Sequence, residues 1–175
     1  MVCLNLTSGA LFEVALPTLA HGPFAAGASG YGLLLAAFGV GAFAGGLLGG
    51  GVGSLKRRGA IMLVLLVALA SCYPLVPFLG GMSGAALLLA LAGIANGLLN
   101  VLFFIVTQQL TPRHLLGRVM SVLMLANLGV YPLSVALGGV IITRFGPAVI
   151  FLAAGGLIAF SSVFGWLEPE MRELQ

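Results

Sequence analysis

Apolar residues fill six long stretches of the sequence, and charged residues, prolines and glycine clusters fall between them. The stretches predict helices over about 1–17, 31–53, 60–79, 85–110, 119–143 and 147–167. Most approach the roughly 20 apolar residues that a helix needs to cross the hydrocarbon core of a bilayer. Barrel strands would alternate polar and apolar residues, and these stretches do not. The pattern therefore predicts an all-α membrane protein with about six transmembrane helices.

The first stretch differs from the other five because it is short and is interrupted by Glu13. Pro17 is predicted to end its helix, and the following segment to Gly30 contains Pro23 and several glycines, which favour a loop. A helix that ends at Pro17 is short for a full crossing. We therefore expect its cytoplasmic end to be missing.

Composition excludes a water-facing exterior. The chain has 61% hydrophobic residues, 6% charged residues and a mean hydropathy of +1.21, whereas soluble domains carry about 25% charged residues. The bases are scattered or form one triplet, which argues against a nucleic-acid partner. Cys3 and Cys72 lack the spacing of zinc ligands or of a disulfide framework. The sequence contains no nucleophile–base pair, phosphate loop or metal cluster, so neither an enzyme nor a cofactor is expected.

Loop charges predict the orientation in the membrane. If the first helix runs outward, six of the seven basic residues face the cytoplasm, and only Arg144 lies outside. Cytoplasmic loops are enriched in Lys and Arg, so both termini are predicted to be cytoplasmic. The six residues are Lys56, Arg57, Arg58, Arg113, Arg118 and Arg172.

The second helix carries two rows of small residues at spacings of four. One row contains Gly41, Gly45, Gly49 and Gly53, and the adjacent row runs from Ala42 through Gly46 and Gly50 to Ser54. Small residues allow helices to approach closely in lipid, where hydrophobic association is weak. The rows fit static packing inside the bundle, a smooth surface along which other helices rock, or homodimerisation.

Glu13 is the acidic residue that falls within a predicted span. A charge at the bilayer centre costs about 2.5–3.5 kcal/mol on insertion scales, so such residues usually face protein or water. Glu13 is either a proton-coupling or cation-recognising group, or an interfacial glutamate near the outer end of its helix. Asn5 and Gly9 are predicted to share its face, because they precede it at spacings of four.

Several segments resemble the major facilitator superfamily, closest to its multidrug, macrolide and siderophore exporters. GIANGLLN at 93–100, QQLTP at 108–112 and GRVMS at 117–121 resemble the tenth helix, the next loop and the eleventh helix of that family. YGLLLAAFG at 31–39 is similar to the opening of the eighth helix. The basic loop at 56–58 is similar to the family's loop motif, although Gly53-Ser54-Leu55 stands where an aspartate is frequent.

The resemblance implies the C-terminal half of a twelve-helix transporter, built from two inverted repeats of three helices. It implies outward transport of small molecules by alternating access, with possible proton coupling, in the cell membrane. It turns two polar stripes toward the cavity, one from Asn5 to Glu13 on the first helix and one from Asn96 to Thr107 on the fourth, and it gives the basic loops a gating role. Asn127 and Tyr131 on the fifth helix form a further, less marked polar pair. The implied pathway residues are Glu13, Asn5, Asn96, Asn100 and Phe103, and the loop residues are Lys56, Arg57, Arg58, Arg113 and Arg118.

Two alternatives stay open. The asparagines also fit simple hydrogen bonding between helices, and the arginines also fit membrane anchors. The chain itself fits either a transporter half or a truncated, non-transporting membrane fragment or scaffold. A working cavity would need the missing N-terminal half or a homodimer.

Overall fold

The computed structural model describes residues 2–52, 58–79 and 81–167, and every regular element in these ranges is helical. The prediction of an all-α membrane protein is confirmed. Several residues to which the sequence analysis gave packing or loop roles lie outside the described residues, namely Gly53, Ser54, Lys56, Arg57 and Arg172. The elements are α1 (Val2–Gly9), a π-helical segment (Ala10–Ala15), α2 (Leu16–His21), α3 (Gly27–Val52), α4 (Arg58–Leu75), α5 (Gly81–Leu110), α6 (Leu116–Phe145) and α7 (Pro147–Leu167).

The first three elements form one continuous rod, which we call the N-terminal rod. Their lengths are 8, 6 and 6 residues, or 20 together. The prediction that Pro17 ends the first helix is wrong, since α2 continues to His21. Pro17 is the second residue of α2, directly after the π-helical segment. The wider π-helical turn before it leaves room for the proline ring, which in a regular helix clashes with the carbonyl four residues earlier.

Four of the helices are long and apolar enough to cross a membrane: α3, α4, α5 and α6. The α7 helix has a shorter apolar stretch, Pro147–Val163. Gly146 separates α6 from α7 with φ +79°, and its N–H donates to the Ile142 carbonyl at 3.0 Å. A positive φ suits glycine, which caps the end of α6 without steric penalty.

Glycines bring α3 and α5 into contact along most of their length. A Cβ atom at Gly41 would lie 2.1 Å from the Ala90 carbonyl oxygen, and one at Gly45 would lie 2.1 Å from the Ile94 oxygen. From the other side, a Cβ at Gly97 would lie 2.1 Å from the Ala42 oxygen. The two backbones therefore touch, as small residues permit in lipid.

This contact uses only part of the small-residue surface of α3. Gly49 meets the Val101 side chain, whereas Gly46 and Gly50 face open space. The row with Gly41 and Gly45 is occupied by α5 of the same chain. Homodimerisation through that row would require α5 to move away.

The core lies around the N-terminal rod and α7. Leu11, Leu16 and Leu19 of the rod and Phe151 and Ile158 of α7 are almost fully buried. The α4 helix joins this core through its contact with α7, where Pro74 packs on Gly155.

The α6 helix stands at the edge of this arrangement. It buries Ser134 and Gly138 against the rod, and most of its other side chains are exposed. The face around Ser134 and Gly138 is therefore the one that positions residues against the rod.

Candidate functional site

Polar side chains join the N-terminal rod to α6. Asn5 Nδ2 donates to Asn127 Oδ1 at 2.5 Å, and the Tyr131 hydroxyl donates to Glu13 Oε1 at 2.8 Å. Ser134, one turn beyond Tyr131, is buried in the same contact. We call these five residues the polar seam. The seam brings together three residues that the sequence analysis singled out as polar positions on two different helices, namely Asn5, Glu13 and Asn127.

Close backbone approach makes the polar seam possible. A Cβ at Gly9 would lie 2.9 Å from the Tyr131 carbonyl oxygen, and a Cβ at Gly138 would lie 2.6 Å from the Ala10 Cβ. Glycine at both positions lets the rod and α6 pack with short side chains between them. Side chains as short as Ser134 then reach the backbone of the opposite helix.

Ser134 bonds to the backbone of the rod at two points. Its Oγ accepts from the Ala10 N–H at 2.9 Å and donates to the Leu6 carbonyl. Ala10 also begins the π-helical segment, in which the Leu16 N–H donates to the Leu11 carbonyl five residues earlier. Glu13 lies in the middle of that segment.

Aromatic side chains from α3 pack on the same segment of the rod. The Phe38 ring lies 4.5 Å from the Phe12 ring, centroid to centroid, with the planes at 54°. The Tyr31 hydroxyl donates to the Phe12 carbonyl at 3.2 Å. Glu13 is therefore flanked by aromatic groups from two helices, Tyr31 on α3 and Tyr131 on α6.

Glu13 is the single acidic side chain of the described residues, and it is exposed. A carboxylate in an apolar helix is costly unless it meets protein or water. One phenol hydroxyl occupies one carboxylate oxygen, and the remaining acceptor capacity faces outward.

The polar stripe of α5 bonds within its own helix. Asn100 Nδ2 donates to both the backbone O and the Oδ1 of Asn96, each at 2.9 Å. Thr107 donates to the Phe103 carbonyl at 2.7 Å. The Phe103 and Phe104 rings meet edge to face at 6.1 Å. All of these hydrogen bonds lie within α5. They are therefore not the hydrogen bonds between helices that the sequence also allowed.

A small apolar cavity of about 150 Å³ lies behind the polar seam. It sits between the N-terminal rod, α6 and α7. Leu6 and Ala10 contribute from the rod, Ser134 and Gly138 from α6, and Ile150 from α7.

Arg58 at the start of α4 bonds to Gln109 at the end of α5, its Nη1 donating to Oε1. This bond ties together two predicted cytoplasmic helix ends. Arg113 in the next loop and Arg118 in the first turn of α6 are exposed, as is His114 between them. The arginines at these helix ends therefore lie on or near the surface.

Sequence reasoning missed Ser134 and gave little weight to Tyr131. A signal was available, since Asn127, Tyr131, Ser134 and Gly138 follow one another at spacings of four, three and four. That spacing marks one face of a helix. The face differs from the rest of α6 by being polar or small.

Comparison with known proteins adds one family and one relative. The profile of the Major Facilitator Superfamily matches residues 1–174. A protein described as an uncharacterised MFS-type transporter, y4rN of Sinorhizobium fredii (strain NBRC 101917 / NGR234), is 34% identical over 152 residues. The alignment covers 85% of this chain but 37% of the relative, so the chain spans little more than a third of the relative's length. No solved structure matches the chain.

Proposed function

Because the chain belongs to the Major Facilitator Superfamily, we propose that it forms the C-terminal six-helix half of a transporter that exports small molecules by alternating access. The observation that carries this proposal is the family match over residues 1–174. Membership of this family points to a transporter rather than an enzyme. Substrate-binding sites in such transporters lie near the bilayer midplane between the two halves, so this chain supplies one wall of the cavity.

Glu13 is the proposed coupling group, which binds a proton or a cationic substrate. Its support is geometric, since the carboxylate is exposed on an apolar rod and one phenol donates to it. Asn5, Asn96 and Asn100 are proposed to offer hydrogen bonds along the pathway, and Phe103 to offer apolar contact.

The partner is proposed to be an N-terminal half or a second copy of this chain. Support comes from α6, where Val122 and Met124 are each 65% exposed. These two residues point to nearly opposite sides of the helix, because successive residues are about 100° apart. One lipid-facing side cannot account for both, and a further helix bundle against α6 would cover the other.

The proposed location is the cell membrane, with both termini and the basic loops in the cytoplasm. Arg58, Arg113 and Arg118 act there as anchors at the membrane surface. Arg118 is also proposed to brace the cytoplasmic gate. The Arg58–Gln109 bond would keep two cytoplasmic helix ends together during that movement.

Transport into proteoliposomes tests the proposal. The chain is reconstituted alone and together with any six-helix product encoded next to it, and the mass of each sample is measured by native mass spectrometry. A panel of fluorescent cationic, neutral and anionic dyes is followed with and without a proton gradient. We expect transport from a dimer or a heteropair, and its loss at least tenfold in the Glu13→Gln variant.

Ser71→Ala provides the matched control, because Ser71 is exposed and bonds only to the Val67 carbonyl of its own helix among its described contacts. That variant should transport normally. Gradient-dependent transport that survives Glu13→Gln at full rate would remove Glu13 from the mechanism. A paired, folded sample that moves none of the dyes in either direction would favour the non-transporting alternative.

A further inference from the structure

A hydroxyl from α6 stands within the hydrogen-bond ladder of the N-terminal rod. An uninterrupted α-helix joins the Ala10 N–H directly to the Leu6 carbonyl, four residues earlier. Here Ser134 Oγ accepts from that N–H and donates to that carbonyl. Ser134 Oγ therefore bonds to both groups of that backbone pair. Insertion of a side chain into the ladder is one of the recognised causes of helix distortion.

The distortion begins at the same residue. The π-helical segment starts at Ala10, and its end is marked by the Leu16 N–H bonding to the Leu11 carbonyl. A π-helical segment accommodates an extra residue in the helix and commonly occurs at functional sites. The extra residue changes the direction of every side chain that follows it.

This change decides where Glu13 points. In a regular α-helix the eight residues from Asn5 to Glu13 turn through about 800°, which leaves the two side chains about 80° apart. Glu13 lies in the middle of the segment, where about half of the extra residue's 100° has been absorbed, so the angle falls to about 30°. Asn5 and Glu13 then both face α6, where they meet Asn127 and Tyr131. Without the insertion, Glu13 would point about 50° further around the rod.

We infer that Ser134 is a positioning residue for Glu13: its hydroxyl holds the π-helical segment open and so keeps the Glu13 carboxylate on Tyr131. The rod then has two arrangements. With Ser134 inserted, Glu13 faces α6, and with the ladder closed, Glu13 turns away by about 50°. Sliding of α6 along the rod would switch between them, and the cavity beside Ser134 gives room for that movement. The inference rests on the proposed role of Glu13, but its test does not depend on transport.

Fluorine NMR of the full chain in nanodiscs tests the inference, with all tyrosines replaced by 3-fluorotyrosine. The chain has three tyrosines, and single Tyr→Phe variants assign their resonances. In the parent, Glu13→Gln should shift the Tyr131 resonance, because Tyr131 donates to Glu13. In Ser134→Ala, the Tyr131 resonance should move, and Glu13→Gln should then have no further effect on it. Ser134→Thr, which keeps the hydroxyl, should restore the response.

Two controls separate positioning from general disruption. Ser162→Ala removes another buried serine, whose hydroxyl bonds to the Ala159 carbonyl of its own helix, and should leave Tyr131 unchanged. Tyr73 is buried on α4, and its resonance reports whether the bundle stays packed. If Ser134→Ala disturbs Tyr73, the pair Ser134→Thr and Ser134→Val replaces it, because these side chains have similar shape and differ in the hydroxyl.

The inference is overturned if Tyr131 still responds to Glu13→Gln in Ser134→Ala or Ser134→Val. It is also overturned if Ser162→Ala abolishes the response equally. Either result would leave the proposed transport role of Glu13 intact, since that role is judged by flux alone. Conversely, a Glu13→Gln variant that transports normally would leave the positioning effect measurable in the spectra.

Discussion

At the scale of single residues, the polar seam shows how an apolar helix can carry a carboxylate. Glu13 is exposed, and its described hydrogen bond comes from Tyr131 rather than from a basic side chain. A lysine or arginine there would neutralise the carboxylate permanently. A phenol instead orients the group, which is compatible with the proposed role of Glu13 in binding a proton or a cation. The neighbouring Asn5–Asn127 bond is neutral and serves to hold the rod against α6.

The Asn5–Asn127 bond should contribute modestly to stability. Hydrogen bonds between membrane helices average about 0.6 kcal/mol, because the unfolded chain in the membrane also finds partners. We expect a double-mutant cycle of Asn5→Leu and Asn127→Leu to give a coupling energy of about 0.6 kcal/mol, measured by unfolding in mixed micelles. A pair made from Asn5→Leu and Asn100→Leu should show no coupling, because Asn100 bonds within α5. Equal coupling in both pairs would contradict a specific Asn5–Asn127 contact.

At the scale of elements, the α3–α5 contact depends on which glycine row faces the partner. Gly45 lies against the backbone of Ile94, whereas Gly46, the next residue, has open space around it. Backbone cannot move aside as a flexible side chain can. The close contact therefore requires glycine at Gly45 but not at Gly46. Substituting each by alanine should show this difference in stability.

Gly45→Ala and Gly46→Ala form a matched pair for this contact. At Gly45 the added Cβ would lie 2.1 Å from the Ile94 carbonyl oxygen, so α3 and α5 must separate, at a cost of about 1–3 kcal/mol. At Gly46 the change should be neutral or stabilising by up to about 1 kcal/mol, because alanine favours the helix. Thermal unfolding in the same detergent compares the two. Equal midpoints would mean that α5 does not lie against Gly45.

Sequence alone accounts for the class of fold and for part of the site. Long apolar runs predict an all-α membrane protein, because lipid leaves no other partner for backbone groups. Periodicity places Gly45 on a row of small residues, but it cannot identify the helix that this row meets. Pro17 misleads because a proline usually ends a helix, and the π-helical segment that accommodates it depends on Ser134 of a distant helix. Ser134 cannot be distinguished from the other serines of the sequence until the contact between α6 and the rod is known.

At the scale of the whole molecule, the order of the helices links the polar seam to the two membrane surfaces. The turn at Pro23 follows the rod, and the turn at His114 precedes α6. Three helices, α3, α4 and α5, lie between these turns, and each is long and apolar enough to cross. An odd number of crossings places the two turns on opposite sides. We propose that the His114 turn is the cytoplasmic one, because cytoplasmic loops are enriched in Lys and Arg.

Cysteine labelling in whole cells tests this topology. Pro23 and His114 are both exposed turn residues, so Pro23→Cys and His114→Cys can be compared after Cys3 and Cys72 are replaced by alanine. We expect a membrane-impermeant maleimide to label Pro23→Cys in intact cells, and His114→Cys only after the cells are permeabilised. The reverse pattern would invert the orientation and put the arginines outside. Labelling of both turns from outside would mean that one of the three helices does not cross. The expected pattern would set the seam in a rod that runs outward, with Asn5 nearer the cytoplasm and Glu13 nearer the outer surface.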